Sequence, residues 1–263
     1  MSPSKSRHAA GRTVSAPLAA LLSAGLLLPA AGCGRIDDAA GGLPAPFEAP
    51  FAATDGMRAA AVASTDLERL RDDLSRIEGW HARERTGLTT ALRGGVPLAE
   101  LDAAEAGLGC RFPDDLRALW RWRDGHADDG AGAAFTWYHQ LLPLHEALAQ
   151  YRELRAAPYI DWDASWLPVL YFQEEWYFVE CGPAPVAASP LMFYFTETGP
   201  APAYASLTAY FATMADAMAT GAVVRDGDGI DADERALAAL HARHKPGLTF
   251  PNHVPDAAAD DPD

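Results

Sequence analysis

The chain has 263 residues, 49% of them apolar and 22% charged, with a formal charge of −15. That much apolar material can fill one large core or two small ones, which excludes intrinsic disorder over most of the length. The acid excess excludes attraction to nucleic acid or anionic lipid through bulk charge and favours basic partners or simple solubility.

At the N-terminus Lys5, Arg7 and Arg12 precede the apolar run Ala16–Pro29, which ends in Ala30-Ala31-Gly32-Cys33. A charged start, a short apolar middle and a small-residue end make a secretory signal. Pro29 and the glycines interrupt the run before the roughly 20 apolar residues that a membrane-spanning helix needs. Small residues followed by Cys33 resemble the lipobox of bacterial lipoproteins, in which the Cys becomes the acylated first residue. Residues 1–32 are therefore expected to be removed, which takes the formal charge from −15 to −18, since Lys5, Arg7 and Arg12 leave with no acid. More than one acyl chain on Cys33 would hold the remainder stably at a membrane.

Residues 33–64 are rich in Ala, Gly and Pro, with GGLPAPFEAPF in the middle, and read as a flexible tether. Thr65-Asp-Leu-Glu68 has the form of a capping box, and Leu67, Leu70, Leu74 and Ile77 repeat at helical spacing, so a helix is predicted over 66–80. A second helix follows Pro97, with Leu98, Leu101 and Leu108 inward and Gly109 as its stop. Phe112-Pro-Asp-Asp opens a third, with Leu116, Leu119 and Trp120 on its apolar face and Asp124-Gly125 at its end. Leu148, Tyr151 and Leu154 predict a fourth over about 145–155.

The middle of the chain changes character. Trp166–Phe172 and Trp176–Cys181 are aromatic and β-branched runs separated by Gln173-Glu-Glu, which reads as a hairpin, and Leu191–Thr196 is a third strand. Leu207, Tyr210, Phe211, Met214 and Met218 mark a further helix ending at Gly221. Helices, then a meander of strands, then helices again is an α+β arrangement in a single domain. Residues 251–263 read as an acidic disordered tail. Cys110 and Cys181 read as two buried thiols, with their pairing left open, because a sequence does not give the distance between two Cα atoms.

The block Leu101–Gly125 resembles the signature of the SUKH superfamily, in the branch named after a fungal cell-wall assembly regulator. The matching positions are Glu105, Leu108-Gly109, Pro113-Asp114 and Asp124-Gly125, with further support in Trp166-Leu-Pro-Val, Tyr177-Phe-Val and His241-Ala-Arg-His-Lys-Pro-Gly. The resemblance places one SUKH-like domain at 65–250 and implies a curved, mainly antiparallel sheet flanked by helices. It also implies a non-enzymatic role with no catalytic residues and no cofactor, because bacterial relatives are regarded as immunity or interaction proteins. Many relatives are cytoplasmic and meet nuclease toxins. An exported chain points instead to an envelope-acting toxin or an envelope scaffold as the partner.

Catalytic motifs are thin. Gly-x-Ser-x-Gly, Gly-x-Gly-x-x-Gly and the Walker loop are absent. His241 and His244 lie at i, i+3 and lack an evident third metal ligand. Glu174, Glu175 and Glu180 are the carboxylates that a competing reading, an envelope hydrolase, would use, although a solvated hairpin tip accounts for them more simply. The stretch VRDGDGIDADE holds Asp226 and Asp228 as metal candidates. In a calcium-loop register, however, Val224 and Arg235 fall where acids are required. Turn dipeptides after Ala222-Val-Val, then a helix capped by Asp231, explain the stretch without a metal. Trp137, Tyr138, Tyr159 and Trp162, together with Glu174 and Glu175, are the candidates for contact with a basic protein partner, being aromatics and acids in or next to loops.

Overall fold

The structure is a computed structural model that describes residues 53–127, 134–136, 138–227 and 229–244. The signal, Cys33, most of the tether, Trp137, Asp228 and the acidic tail lie outside the described residues.

Helix α1 (Asp55–Ser64) occupies the end of what reads as tether. Thr54 caps it, its hydroxyl accepting from the Met57 N–H. Helix α2 (Leu67–Glu84) follows at once, so Thr65 closes the preceding helix and the expected capping box does not form. Asp66 takes the role instead, its carboxylate accepting from the N–H groups of Glu68 and Arg69 at 3.0 Å. A carboxylate is favoured there because it meets both the free N–H groups and the positive end of the helix.

After the short α3 (Leu88–Ala91) and β1 (Leu92–Gly94), helices α4 (Leu98–Leu108) and α5 (Asp114–Trp122) carry the signature block. Strand β2 (Arg123–His126) returns to pair with β1. Leu116, Leu119 and Trp120 are buried as their spacing predicts, whereas Leu98 is 52% exposed. Leu98 is the first residue of α4 and points away from the core that Leu101 enters.

Strand β3 (Gln140–Leu141), helix α6 (Leu144–Ala156) and strands β4 (Trp166–Phe172), β5 (Glu175–Glu180), β6 (Leu191–Phe195) and β7 (Gly199–Tyr204) form the centre. The five strands pair in chain order, each antiparallel to the next. The predicted hairpin is present, with Gln173 and Glu174 as its two-residue turn and Gln173 at φ 52°. The missed strand is β7, whose Gly-Pro-Ala-Pro start lacks a strand signature. Prolines that cannot donate to a ladder are tolerated here because β7 is an edge.

Side-chain alternation divides this sheet between two cores. Leu167, Val179, Tyr177, Leu191 and Phe193 face the main core with α2, α5 and α7 (Leu207–Thr220). Trp166, Trp176, Phe178, Met192 and Tyr194 face a smaller aromatic core closed by Leu154, Trp162, Ile160 and Met57. The fold is thus α+β, a mainly antiparallel sheet flanked by helices. A small hairpin of β8 (Val223–Asp226) and β9 (Gly229–Ala232) and helix α8 (Glu234–His244) complete it. No described helix is long and apolar enough to cross a membrane.

Candidate protein-binding surface

The acids of the signature block are used inside the fold. Glu105 is 2% exposed and lies 2.7 Å from both Arg111 and Arg117. One of its oxygens also accepts from the Phe112 N–H at 2.9 Å. Gly109, at φ 72°, ends α4 by donating its N–H to the Glu105 carbonyl. Asp114 and Asp115 donate their backbone N–H groups to the carbonyls of Val186 and Ala187. Pro113 offers no side-chain cap to α5, so those carbonyls satisfy N–H groups that would otherwise be orphaned.

Asp124 accepts from the Leu144 N–H at 2.8 Å, capping α6 where Pro143 cannot, and it also meets Arg93. A Cβ on Gly125 would lie 2.2 Å from the Pro143 nitrogen, so only glycine lets these two chain segments meet. Asp115, which sequence reasoning passed over, is fully buried beside Leu207 at the start of α7. Burial pushes its carboxyl up to about 8, against backbone hydrogen bonds from Leu116 and Leu207 that lower it.

Cys110 and Cys181 are joined as a disulfide with Cα atoms 5.7 Å apart, not held as two thiols. The Arg111–Gly182 backbone bridge brings the two segments together beside it. That pairing spans 71 residues of sequence, so nothing local announces it.

The aromatic candidates separate. Trp162 is 2% exposed, at the centre of the smaller core, with its indole N–H donated to the Trp166 carbonyl. It stacks edge-on against Trp166 and Tyr194 and has no surface for a partner, a correction to its expected place among the loop acids. Tyr159, by contrast, is 81% exposed beside exposed Asp161, ahead of the start of β4.

At the other end of β4, Tyr138 keeps 47% of its surface and stacks on Phe172 at 5.4 Å. Next to that pair are the tips of two hairpins. Glu174 accepts from the Thr196 hydroxyl at 3.0 Å across the tips, and Glu197 follows Thr196. Glu175 is half-buried 3.4 Å from His139, so it belongs to the support of this end rather than to its open face. Tyr138, Glu174 and Glu175 thus fall together, while Tyr159 stands apart by the length of a strand.

One sequence signal went unused. Between Arg155 and Arg225 there is no Lys, Arg or His, so β4 to β7 and α7 carry acids alone.

Glu180 is not at a hairpin tip. It is 8% exposed at the far end of β5, accepting from the Ala53 N–H and pairing with Arg58 at 2.9 Å, which ties α1 to the sheet. Glu174 and Glu180 do not face each other across a cleft, as a hydrolase pair must. His241 meets the Tyr204 hydroxyl at 2.7 Å, and His244 meets Asp216 at 3.0 Å, so they do not share a ligand.

VRDGDGIDADE is a hairpin leading to a helix. Asp231 lies in β9 and Asp233 caps α8, accepting from Ala236 at 3.0 Å, a shift of two residues from the expected cap. Among the described residues no three His, Cys, Asp or Glu side chains are placed to hold a metal. A cleft of about 590 Å³ runs between α4 and α6 and is lined by Arg93, Glu100, Leu108, His145, Leu148 and Arg152.

No curated protein matches the chain. A family match begins just before α4 and ends within α7, taking in the whole signature block and the five-stranded sheet. Over residues 95–213 the chain matches the model of the SMI1 / KNR4 family (SUKH-1).

Proposed function

We propose that the chain is a membrane-tethered protein-binding module of the bacterial envelope, an immunity or adaptor protein whose partner is a toxin or another protein. The observation that carries this reading is the SMI1 / KNR4 match over residues 95–213, which is consistent with a toxin-immunity module. The fate of the acids agrees with it, since Glu105, Asp115, Asp124 and Glu180 are engaged in capping and pairing, where chemistry on a substrate would need them open. The domain takes in α2 and α8 as well, because Leu70, Leu74 and Leu237 share the main core with the matched region.

Export and tethering draw on two supports. Lys5 to Cys33 has the order of a lipoprotein signal. A disulfide between Cys110 and Cys181 suits an oxidising compartment, since cytosolic thiols are kept reduced.

The test is fractionation of cells expressing the full chain or its Cys33→Ser variant, with affinity capture from the envelope. The wild type is expected in the membrane fraction with a stoichiometric protein partner, and the variant in the soluble fraction. A soluble wild type would overturn the tether. Capture of the chain alone, with turnover of wall fragments that Glu174→Gln abolishes, would overturn the binding role.

A further inference from the structure

Some described carboxylates are paired within the fold, while others, Glu153 and Asp161 as well as the two at the hairpin tips, face no arginine in an ion pair among the described residues. Asp73, Glu78, Asp102, Glu105, Glu180 and Asp216 each face an arginine of the same chain. Glu174 and Glu197, at the two hairpin tips, do not. Glu174 is met by the Thr196 hydroxyl, and Glu197 has no ion pair among the described residues. With no Lys, Arg or His between Arg155 and Arg225, this end of the sheet has no nearby cation of its own segment.

Beside these acids lies an aromatic platform, the stacked Tyr138–Phe172 pair, with His139 packed edge-on against Phe172. The edge of the sheet offers less to a partner. In β7, Pro200 and Pro202 lack the N–H groups that strand addition requires.

We propose that the open ends of the β4–β5 and β6–β7 hairpins are the contact face for a basic protein surface. In this arrangement Tyr138 and Phe172 receive an arginine, and Glu174 and Glu197 meet the cations around it. This deepens the binding reading given above and rests on it. Arginine fits better than lysine because its planar guanidinium stacks on rings as well as pairing with carboxylates. A nucleic acid would be repelled by the same acids.

Calorimetric titration of the full chain with nona-arginine and nona-lysine peptides, at about 0.15 M salt, reads the chemistry. Glu174→Gln with Glu197→Gln is expected to weaken nona-arginine about fivefold. Asp161→Asn with Glu153→Gln, the same charge change elsewhere, is expected to leave it within about twofold. Tyr138→Ala is expected to weaken nona-arginine about threefold and nona-lysine not at all. Equal losses for both double variants, or no preference for arginine, would overturn the proposal as a net-charge effect.

Photo-crosslinking in the native envelope, from p-benzoylphenylalanine at 138, 197 or 159, separates the two readings. One protein crosslinked at 138 and 197 through an arginine-bearing segment supports the face. A protein crosslinked only from 159 overturns the face and leaves the binding role standing. No adduct from any position overturns both.

Discussion

Cys110 and Cys181 join the link between α4 and α5 to the end of the central strand β5, across 71 residues of sequence. Closing a loop of that length in the unfolded chain is worth about 4 kcal/mol in the chain-entropy account. Reduction, or the paired Cys110→Ser and Cys181→Ser variant, is expected to lower unfolding stability by about that amount. Denaturant unfolding with and without reductant measures it. Equal midpoints would show that the bond adds nothing to the fold.

Glu105 is a buried anion with two arginines and a backbone N–H around it. Glu105→Gln removes the buried anion that Arg111 and Arg117 share, leaving Arg117 only the exposed Asp102, and is expected to destabilise by about 3 kcal/mol. Asp102 pairs with Arg117 too, but its side chain is 58% exposed, and Asp102→Asn is expected to cost no more than about 0.5 kcal/mol. Urea unfolding of the two variants side by side reads the difference.

Two buried groups tilt the pH dependence in opposite directions. His81, between Thr86 and the Phe135 carbonyl, is pushed down to about 4 by burial. Its unfolded form binds the extra proton between about 4 and the ordinary 6.5, so this group favours the fold as pH rises through that window. Asp115 does the reverse. Its folded form holds the proton from the ordinary 3.8 up to about 8, so stability falls as pH rises across that range. Above 6.5 only the Asp115 effect of the two remains. The melting temperature of the wild type should therefore drop between pH 6.5 and 8.5, and that of Asp115→Asn should drop less. Parallel curves would contradict the buried-acid account.

Gly125 and Gly221 both have positive φ, at 65° and 78°, but only Gly125 is crowded. Gly221→Ala is expected to cost about 1 kcal/mol, the ordinary penalty for the backbone conformation. Gly125→Ala should cost more than about 2 kcal/mol, because the added Cβ would meet the Pro143 backbone. Thermal melts of the two variants give the comparison.

Trp162→Ala removes the centre of the smaller core and is expected to destabilise by about 4 kcal/mol. Any loss of partner binding in that variant would follow from unfolding. Circular dichroism at the assay temperature distinguishes this from a lost contact.

Periodicity made much of this legible. Leu116, Leu119 and Trp120 announce α5, and the aromatic runs around Gln173 announce the hairpin, because in each the burial pattern matches the local period. What escaped was set by distant partners. Helix α1 is read as tether because its run of alanines has no strong apolar face, and it is fixed by Glu180, far away in sequence. Strand β7 is concealed by its prolines. Trp162 sits among acids in sequence, yet its side chain turns inward to complete an aromatic core that only the folded sheet creates. The signature acids were legible as a pattern, but their capping roles depend on Val186, Leu144 and Arg111 arriving from elsewhere. For the candidate face, Tyr138, Glu174 and Glu175 were named in sequence and Glu197 was not, since only strand pairing brings the two hairpin tips together.

On the proposed reading, the chain protects or connects by binding a protein through the hairpin end of its sheet. Co-culture of the parent strain with a strain lacking the chain tests this most directly. The deletion strain is expected to be outcompeted, with growth restored by the wild-type chain and not by one carrying Tyr138→Ala, Glu174→Gln and Glu197→Gln. Equal growth of the deletion strain, or full rescue by that triple variant, would contradict the account.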